Sequence, residues 1–293
     1  MTSSGVPTVR ARQICEPDIP AVVNLLANGF RDRPPHFWAQ FLTRLTERSP
    51  PPGLPKYGYM LDAGGAAVGA VLLIFSNVRV GDTATIRCNV SSWFVAPEFR
   101  SFGSLFVSKA LSRKNVTYFN VTPAPHTLPL VRAQGYSQYN KGVFVAAPAL
   151  SRGSDAARAT VAIARAGDRS AAAIEASEHE LLLDHAGYGC TSVLCTAADG
   201  VHPFVFRPRV FKGIIPCVQL VYCRAVDDFV RLSGPIGRFL AMRGRPLVVI
   251  DGNGPVAGLT GKYFEGKMPK YFKGPDQPRF GDLAYTETAM FGV

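Results

Sequence analysis

The chain has 293 residues and a formal net charge of +11, with 47% hydrophobic and 18% charged residues. That length is long for one hydrophobic core and suits two domains. The apolar content, with 28 Gly and 23 Pro spread along the chain, excludes a disordered polymer.

The opening MTSSGVPTVRARQI lacks the apolar stretch of a signal peptide. VRARQI (9–14) predicts a short strand. Glu16-Pro17-Asp18 then opens an amphipathic helix carrying Ile19, Val22, Val23, Leu25, Leu26 and Phe30 at helical spacing. RDRPP (31–35) breaks it, HFWAQFLTRL (36–45) predicts a second helix, and SPPPGLPKYG (49–58) predicts a loop. Three strands follow at 57–62, 66–80 and 83–95. Asp62-Ala-Gly-Gly65 and Gly81-Asp82 supply the tight turns of an antiparallel meander. The longest clean apolar run, GAAVGAVLLIF (65–75), is too short to span a bilayer, so no membrane span and a cytoplasmic location are expected.

A helix from about Ser101 to Lys114, a strand at 116–121, a short helix at 127–134 capped by Gly135, and a strand at 137–147 complete the first half. PALSRGSDAARA (148–159) reads as a linker. The same order then returns: a strand at 160–166, a helix at 170–187, and the strands CTSVLCTA, HPFVFRPRVF and PCVQLVYCRA. A helix from Val226 to Arg243, broken at Ser233-Gly-Pro-Ile-Gly237, and the strand PLVVIDG (246–252) follow. Corresponding turns lie roughly 130 to 140 residues apart, the mark of an internal duplication with domains 1–150 and 151–293. Two further expectations concern the C-terminal part: KYFEGKMPKYFKG (262–274) as a solvated, lysine-edged loop, and GDLAYTETAMFGV (281–293) as a closing strand. The six cysteines form no C-x-x-C pair, which predicts buried free thiols, and the five histidines show no metal spacing.

The junction WFVAPEFRSFG (93–103) carries the chemistry. A strand running into a helix start offers unpaired N–H groups and a positive dipole end to an anion, Gly103 lets that anion approach the backbone, and Arg100 adds charge. The free edge of Trp93, Phe94 and Val95 suits pairing with an extended amide chain. Within residues 8–147 the element order, V-A-P-E-F-R-S-F-G (95–103) and the run from Val121 to Gly135-Tyr136 resemble the GNAT superfamily of acyl-CoA N-acyltransferases. The resemblance implies an α/β fold with a mixed sheet, here as two tandem GNAT-like domains. The first would bind acyl-CoA and the second, a degenerate copy with Asp227 and Asp228 at its helix start, would shape the acceptor cleft. It further implies pantetheine along Trp93, Phe94 and Val95 and phosphates at Arg100, Ser101, Phe102, Gly103 and Ser104. Asn120 would orient cofactor or substrate.

The sequence departs from the family pattern at three places. Leu105 stands where a small residue is usual. Asn89 holds the place of the family's general base; it could position a water jointly with Ser91, two residues on along the same strand face. Val131 replaces the acid tyrosine, leaving His126 as the nearest alternative acid. FRDRPPHFW (30–38) offers Arg31, Arg33, His36 and Trp38 to an acceptor; a solvated helix end with Trp38 packed beneath is the preferred reading. The expected activity is transfer of an acetyl or other acyl group from acyl-CoA to a small-molecule or peptide amine, without a metal. One alternative is a Fem-type aminoacyl transferase drawing on charged tRNA, which the basic balance would suit; nucleic acid is otherwise not an expected partner. The other is a non-catalytic CoA-binding module.

Overall fold

The structure, a computed structural model, describes residues 8–80, 83–151, 159–168, 172–211 and 213–292. The chain divides into two compact units, residues 1–120 with 272–276 and residues 121–271 with 277–293.

Unit 1 contains β1 (Val9–Gln13), α1 (Ile19–Gly29), α2 (Pro35–Thr46), β2 (Gly58–Ala63), β3 (Ala66–Val80), β4 (Thr83–Val95), α3 (Gly103–Ala110) and β5 (Val116–Asn120). Its strands lie in the order β1-β2-β3-β4-β5, antiparallel except for the parallel pair β4–β5. The meander forms because β2 and β3 are bent back at Asp62, whose carboxylate accepts the N–H of Gly65 at 2.8 Å. Helix α1 buries Val22, Val23 and Leu26, and α2 buries Trp38, Phe41, Leu42 and Leu45. Pro20 and Pro35 sit in the first turns of these helices, where a missing N–H breaks no bond. Residues 272–276 lie against β5, with the Asp276 N–H donating to Thr117 Oγ1 at 3.2 Å.

Unit 2 contains α4 (Leu128–Ala133), β6 (Ser137–Ala146), β7 (Thr160–Ile163), α5 (Ala176–Gly187), β8 (Thr191–Ala197), β9 (Gly200–Phe211), β10 (Ile215–Cys223), α6 (Val226–Arg231), α7 (Ser233–Ala241), β11 (Leu247–Gly252), α8 (Glu287–Phe291) and most of β12 (Gly261–Lys273). The strand order is β12-β6-β11-β10-β9-β8-β7. Phe204, Phe206, Phe229, Ile236, Val248 and Ile250 belong to the core on the α6–α7 side.

Several expectations change. Residues 121–150, read with the first domain, pack in unit 2, because β6 bonds to β11 from Ala146↔Val248 to Gly142↔Gly252. The segment 262–274 is strand, not loop, and its Lys270 is fully buried against Asp251, with Nζ 2.6 Å from Oδ1. The C-terminal segment makes one β-bridge, Tyr222↔Asp282, and then the short helix α8 instead of a closing strand. The helix expected at 101–114 is a 3-10 turn over Pro97–Phe102 followed by α3, which stops at Ala110. The helix expected from 226 to 243 is two, and Pro235 falls in the first turn of α7. The helix expected at 170–187 is α5, which begins at Ala176, after described residues 172–175 that are not α-helical; most of the 148–159 linker lies outside the described residues. Of the free cysteines, Cys15 is exposed and the other five are buried. No helix of the described residues is long and apolar enough to cross a membrane.

Two predictions follow from this packing. Arg12 donates to Asp62 at 2.7 Å and to both oxygens of Asp18 at 2.6 and 2.7 Å, and these bonds hold both carboxyls below their ordinary value of 3.8. Stability from a depressed carboxyl is present above the unfolded value and lost as pH falls through the folded one. Arg12→Met should therefore lower stability at neutral pH. In urea melts, its deficit against wild type should shrink as pH drops below 3.8, whereas a deficit constant down to about pH 2 would refute the linkage. Lys270→Met, which leaves Asp251 buried without its partner, should cost about 3–5 kcal/mol, and Lys270→Met with Asp251→Leu much less. Denaturant midpoints of the single and double variants measure this.

Candidate functional site

The site in unit 1 begins with a ladder that stops early. β4 and β5 pair at Ile86↔Val116, Arg87↔Thr117, Cys88↔Tyr118 and Asn89↔Phe119, and no further. Beyond Asn89, β4 continues to Val95 along β3 alone, where its register slips by one residue between Ser91 and Phe94. The extra residue is a β-bulge, with Ser92 at φ 50°, and a bulge bends and twists its strand. β4 thus leaves β5, and the backbone edge from Val90 onward has no β5 partner. Packing holds the departing strand: the Phe94 ring lies 6.1 Å from Phe30, and Gly29 is needed because any Cβ there would fall 2.5 Å from the Phe94 ring.

Asn89 sits at the vertex. It is buried, and its Nδ2 donates to the carbonyls of Val90 at 3.2 Å and Phe119 at 3.4 Å, clipping the two strands where they part. Ser91 is buried and shares a 2.9 Å hydrogen bond with the Ser92 hydroxyl. Burial raises the Cys88 thiol well above its ordinary value and the Tyr118 phenol to about 12, so neither side chain of this last stretch titrates near neutrality. Asn120 ends β5, half-buried.

The corner after β4 is wound more tightly than an open helix start. Pro97–Phe102 form a 3-10 turn, and the Gly103 N–H donates to the Arg100 carbonyl. Gly103 has φ −60°, which any residue adopts, and a Cβ there would meet Trp93 Cζ2 at an ordinary 3.6 Å. Neither the backbone conformation nor the packing on Trp93 therefore requires a glycine at 103. Arg100, Ser101, Phe102 and Ser104 are exposed, and Leu105 is 69% exposed.

The structure brings Asn89, Ser91, Trp93, Phe94, Val95, Arg100–Ser104 and Asn120 into unit 1, while His126 lies exposed on a 3-10 turn of unit 2. Trp38 is buried beneath the end of α1, 5.3 Å from Phe30, and Arg33 lies over Phe37, as the solvated helix end requires. Among the described residues no group of three His, Cys, Asp or Glu side chains is placed to hold a metal ion.

Comparison with solved structures matches this arrangement over nearly the whole chain. A GCN5-related N-acetyltransferase from Kribbella flavida aligns at TM-score 0.55 with 15% identity, over 91% of this chain and 71% of that one. One from Anabaena variabilis aligns at 0.57 with 11% identity over 90% and 72%, and Eis1 from Mycobacterium abscessus at 0.54 with 12% identity over 91% and 73%. The chain has the GCN5-related N-acetyltransferase fold. No protein-family model and no curated relative matches the sequence.

Within this GNAT fold, unit 2 repeats the geometry of unit 1. β10 and β11 pair in parallel at Cys217↔Leu247, Val218↔Val248 and Gln219↔Val249, the same spacing of thirty positions as 86 with 116, and pairing ends at Gln219, 130 positions after Asn89. β10 also carries an extra residue, between Leu220 and Tyr222. Here the vacated edge is filled by the chain itself. The Cys223 N–H donates to the Gly281 carbonyl at 2.9 Å, the Leu283 N–H to the Val221 carbonyl at 2.7 Å, and Tyr222 bridges Asp282. Sequence reasoning missed the bulge at Ser92, since a serine gives no signal of left-handed backbone, and the closing strand expected over 281–293 is reduced to this short contact at 281–283.

The offset of 130 places Ser91 and Trp93 of unit 1 as the counterparts of Val221 and Cys223. Hydrogen exchange should therefore find the Cys223 and Leu283 amides strongly protected and the Trp93 amide exchanging orders of magnitude faster. Equal protection at Trp93 and Cys223 would mean that the unit 1 edge is also occupied.

Proposed function

We propose that the protein is an acyl-CoA-dependent N-acyltransferase whose donor site is in unit 1. The observation that carries this reading is the β4 edge left without a β5 partner beyond Asn89, next to the exposed guanidinium of Arg100. The plug in unit 2 supplies the pattern for an extended chain at such an edge, with a carbonyl and an N–H two residues apart each engaged. By that pattern the Ser91 carbonyl and the Trp93 N–H hold the amides of pantetheine. Arg100, with the hydroxyls of Ser101 and Ser104, holds the phosphates through charge-assisted bonds, in place of the Gly103 amide that the 3-10 turn has already used. Phe102 and Leu105, 36% and 69% exposed, offer apolar surface beside them for the rest of the donor.

The acceptor is an amine on a small molecule or peptide, and the group transferred is acetyl or a longer acyl. Its nitrogen attacks the thioester carbonyl, the C–S bond breaks, and the thiolate leaves with a proton. Asn89 cannot take a proton, so it positions rather than titrates, and a neutral amine with proton transfer through water fits the residues present. Asn89, Ser91 and Asn120 are the groups of unit 1 nearest this role by their place at the parting strands, whereas His126, the acid expected from the sequence, belongs to unit 2.

Thermal denaturation with acetyl-CoA and longer acyl-CoAs tests the donor site. Saturation should stabilise the protein by about 2.7 kcal/mol at a hundredfold excess over Kd. Arg100→Glu should remove most of that shift, whereas Lys109→Glu, the same charge change on an exposed residue of the same segment, should leave it largely intact. The absence of a shift with every acyl-CoA, or equal losses in the two variants, would remove the donor site from this corner.

A further inference from the structure

The face of the unit 2 sheet opposite α6 and α7 carries a second, smaller apolar cluster of Val143, Val145, Cys217 and Val249, with Phe211, Phe264 and Met268 packed on it. Side chains alternate along a strand, so these residues necessarily turn away from the main core. A cavity of about 290 Å³ opens there, lined by Val143, Val249, Phe211, Phe264 and Met268, with Arg209 and Lys267 as its charged members. That volume stands at the small end of ligand pockets, roughly 300–1,000 Å³.

The charges around this cavity do not balance. Arg209 Nη1 donates to Gln219 Oε1 at 2.6 Å, a neutral partner, and no carboxylate pairs with Arg209 among the described residues. Gln219 is itself fully buried and its Nε2 has no partner there. The carboxylate whose charge reaches Arg209 is Asp251, and that group is already committed to Lys270 at 2.6 Å. Arg207 faces the same side but spends its Nη1 on the carbonyls of Tyr188 and Ala289. Arg245 adds a further positive charge near Cys217, and Lys267 is exposed at the rim. Burial pushes the Arg209 pKa down, against the opposing charge of Asp251.

We infer that this cavity binds a small apolar carboxylate, its head on Arg209 and its body against Val143, Val249, Phe211 and Phe264. The Nε–Nη2 edge of Arg209 is the half of the fork not used by Gln219, and it matches the two oxygens of one carboxylate. Of the two charged lining residues, Arg209 is the one half-buried among the apolar walls and Lys267 stands exposed at the rim, so one carboxylate on Arg209 matches the interior. The face of a second copy, if purely apolar, would leave Arg209 buried and unpaired, so it fits less well.

Calorimetric titration with octanoate, octan-1-ol and octylamine, which share one apolar body, tests the site. Octanoate should bind saturably with one site per chain, and the alcohol and amine at least about tenfold more weakly, because they forgo the charge-assisted fork. Arg209→Gln, whose amide can still reach Gln219, should lower octanoate affinity by a similar factor while its melting temperature shows that it folds. If that variant does not fold, the head-group comparison on the wild-type protein decides alone. No saturable octanoate binding, equal binding of the alcohol, or undiminished binding by folded Arg209→Gln would overturn the proposal. So would self-association in sedimentation with no octanoate bound, which would assign the groove to a second copy.

Discussion

One inserted residue in β4 sets the geometry of the candidate site. At Ser92 the backbone takes φ 50°, a conformation costing an L-residue roughly 1–2 kcal/mol. The compensation is local and visible: the Ser91 and Ser92 hydroxyls bond to each other, and Phe94 beds against Phe30 and the bare face of Gly29. With the bulge in place, β4 cannot stay parallel to β5 past Asn89. A regular β4 would continue the ladder and satisfy its own backbone, leaving no edge for an extended ligand. The candidate site is therefore a strand edge without a β5 partner, held by the packing of Phe94 on the end of α1.

The two units give this constraint opposite outcomes. Both end their parallel ladder at equivalent pairs, and both carry an extra residue just beyond. In unit 2 the C-terminal segment returns to satisfy the vacated carbonyl and N–H. It is fixed there by Tyr285, whose N–H donates to His185 Nε2 at 3.1 Å and whose hydroxyl donates to Asp184 at 2.8 Å. A protein has two ways to satisfy a strand edge, with its own chain or with a ligand. Unit 2 uses the first, and its α6 opens on Asp227 and Asp228, acidic residues that favour the positive end of the helix dipole.

The excess of positive charge is not spread evenly in its consequences. Many of the described lysines and arginines hold a carboxylate, a carbonyl or a ring, as Arg224 holds Glu178 and Arg243 lies over Phe239. Lys270 is the extreme case, fully buried and neutralised by Asp251. Arg12 links Asp18 and Asp62 and ties the edge strand β1 to the meander. Arg100 and Arg209 differ from these in having no carboxylate partner among the described residues, one on an exposed turn and one in an apolar cavity. Cations left in that state, rather than net charge, are where anionic ligands are to be sought.

Periodicity alone located the two N-terminal helices, the three-strand meander and the return of the same order after residue 160, because alternation and helical spacing are local consequences of what each element must bury. The motif at 95–103 and the absence of a carboxylate at Asn89 were equally legible. Pairing between distant segments was not. Nothing in KYFEGKMPKYFKG announces that Lys270 will meet Asp251, nothing in GDLAYTETAMFGV that its strand contact will stop short and give way to α8, and nothing in SSWF that Ser92 will turn left-handed. Those outcomes depend on which backbone groups remain unsatisfied once the sheets have formed, a quantity defined only by the folded chain. Local pattern marks the apolar stripe that each helix and strand buries; the folded sheets settle which strand edges find a partner within the chain, and that depends on contacts between distant segments.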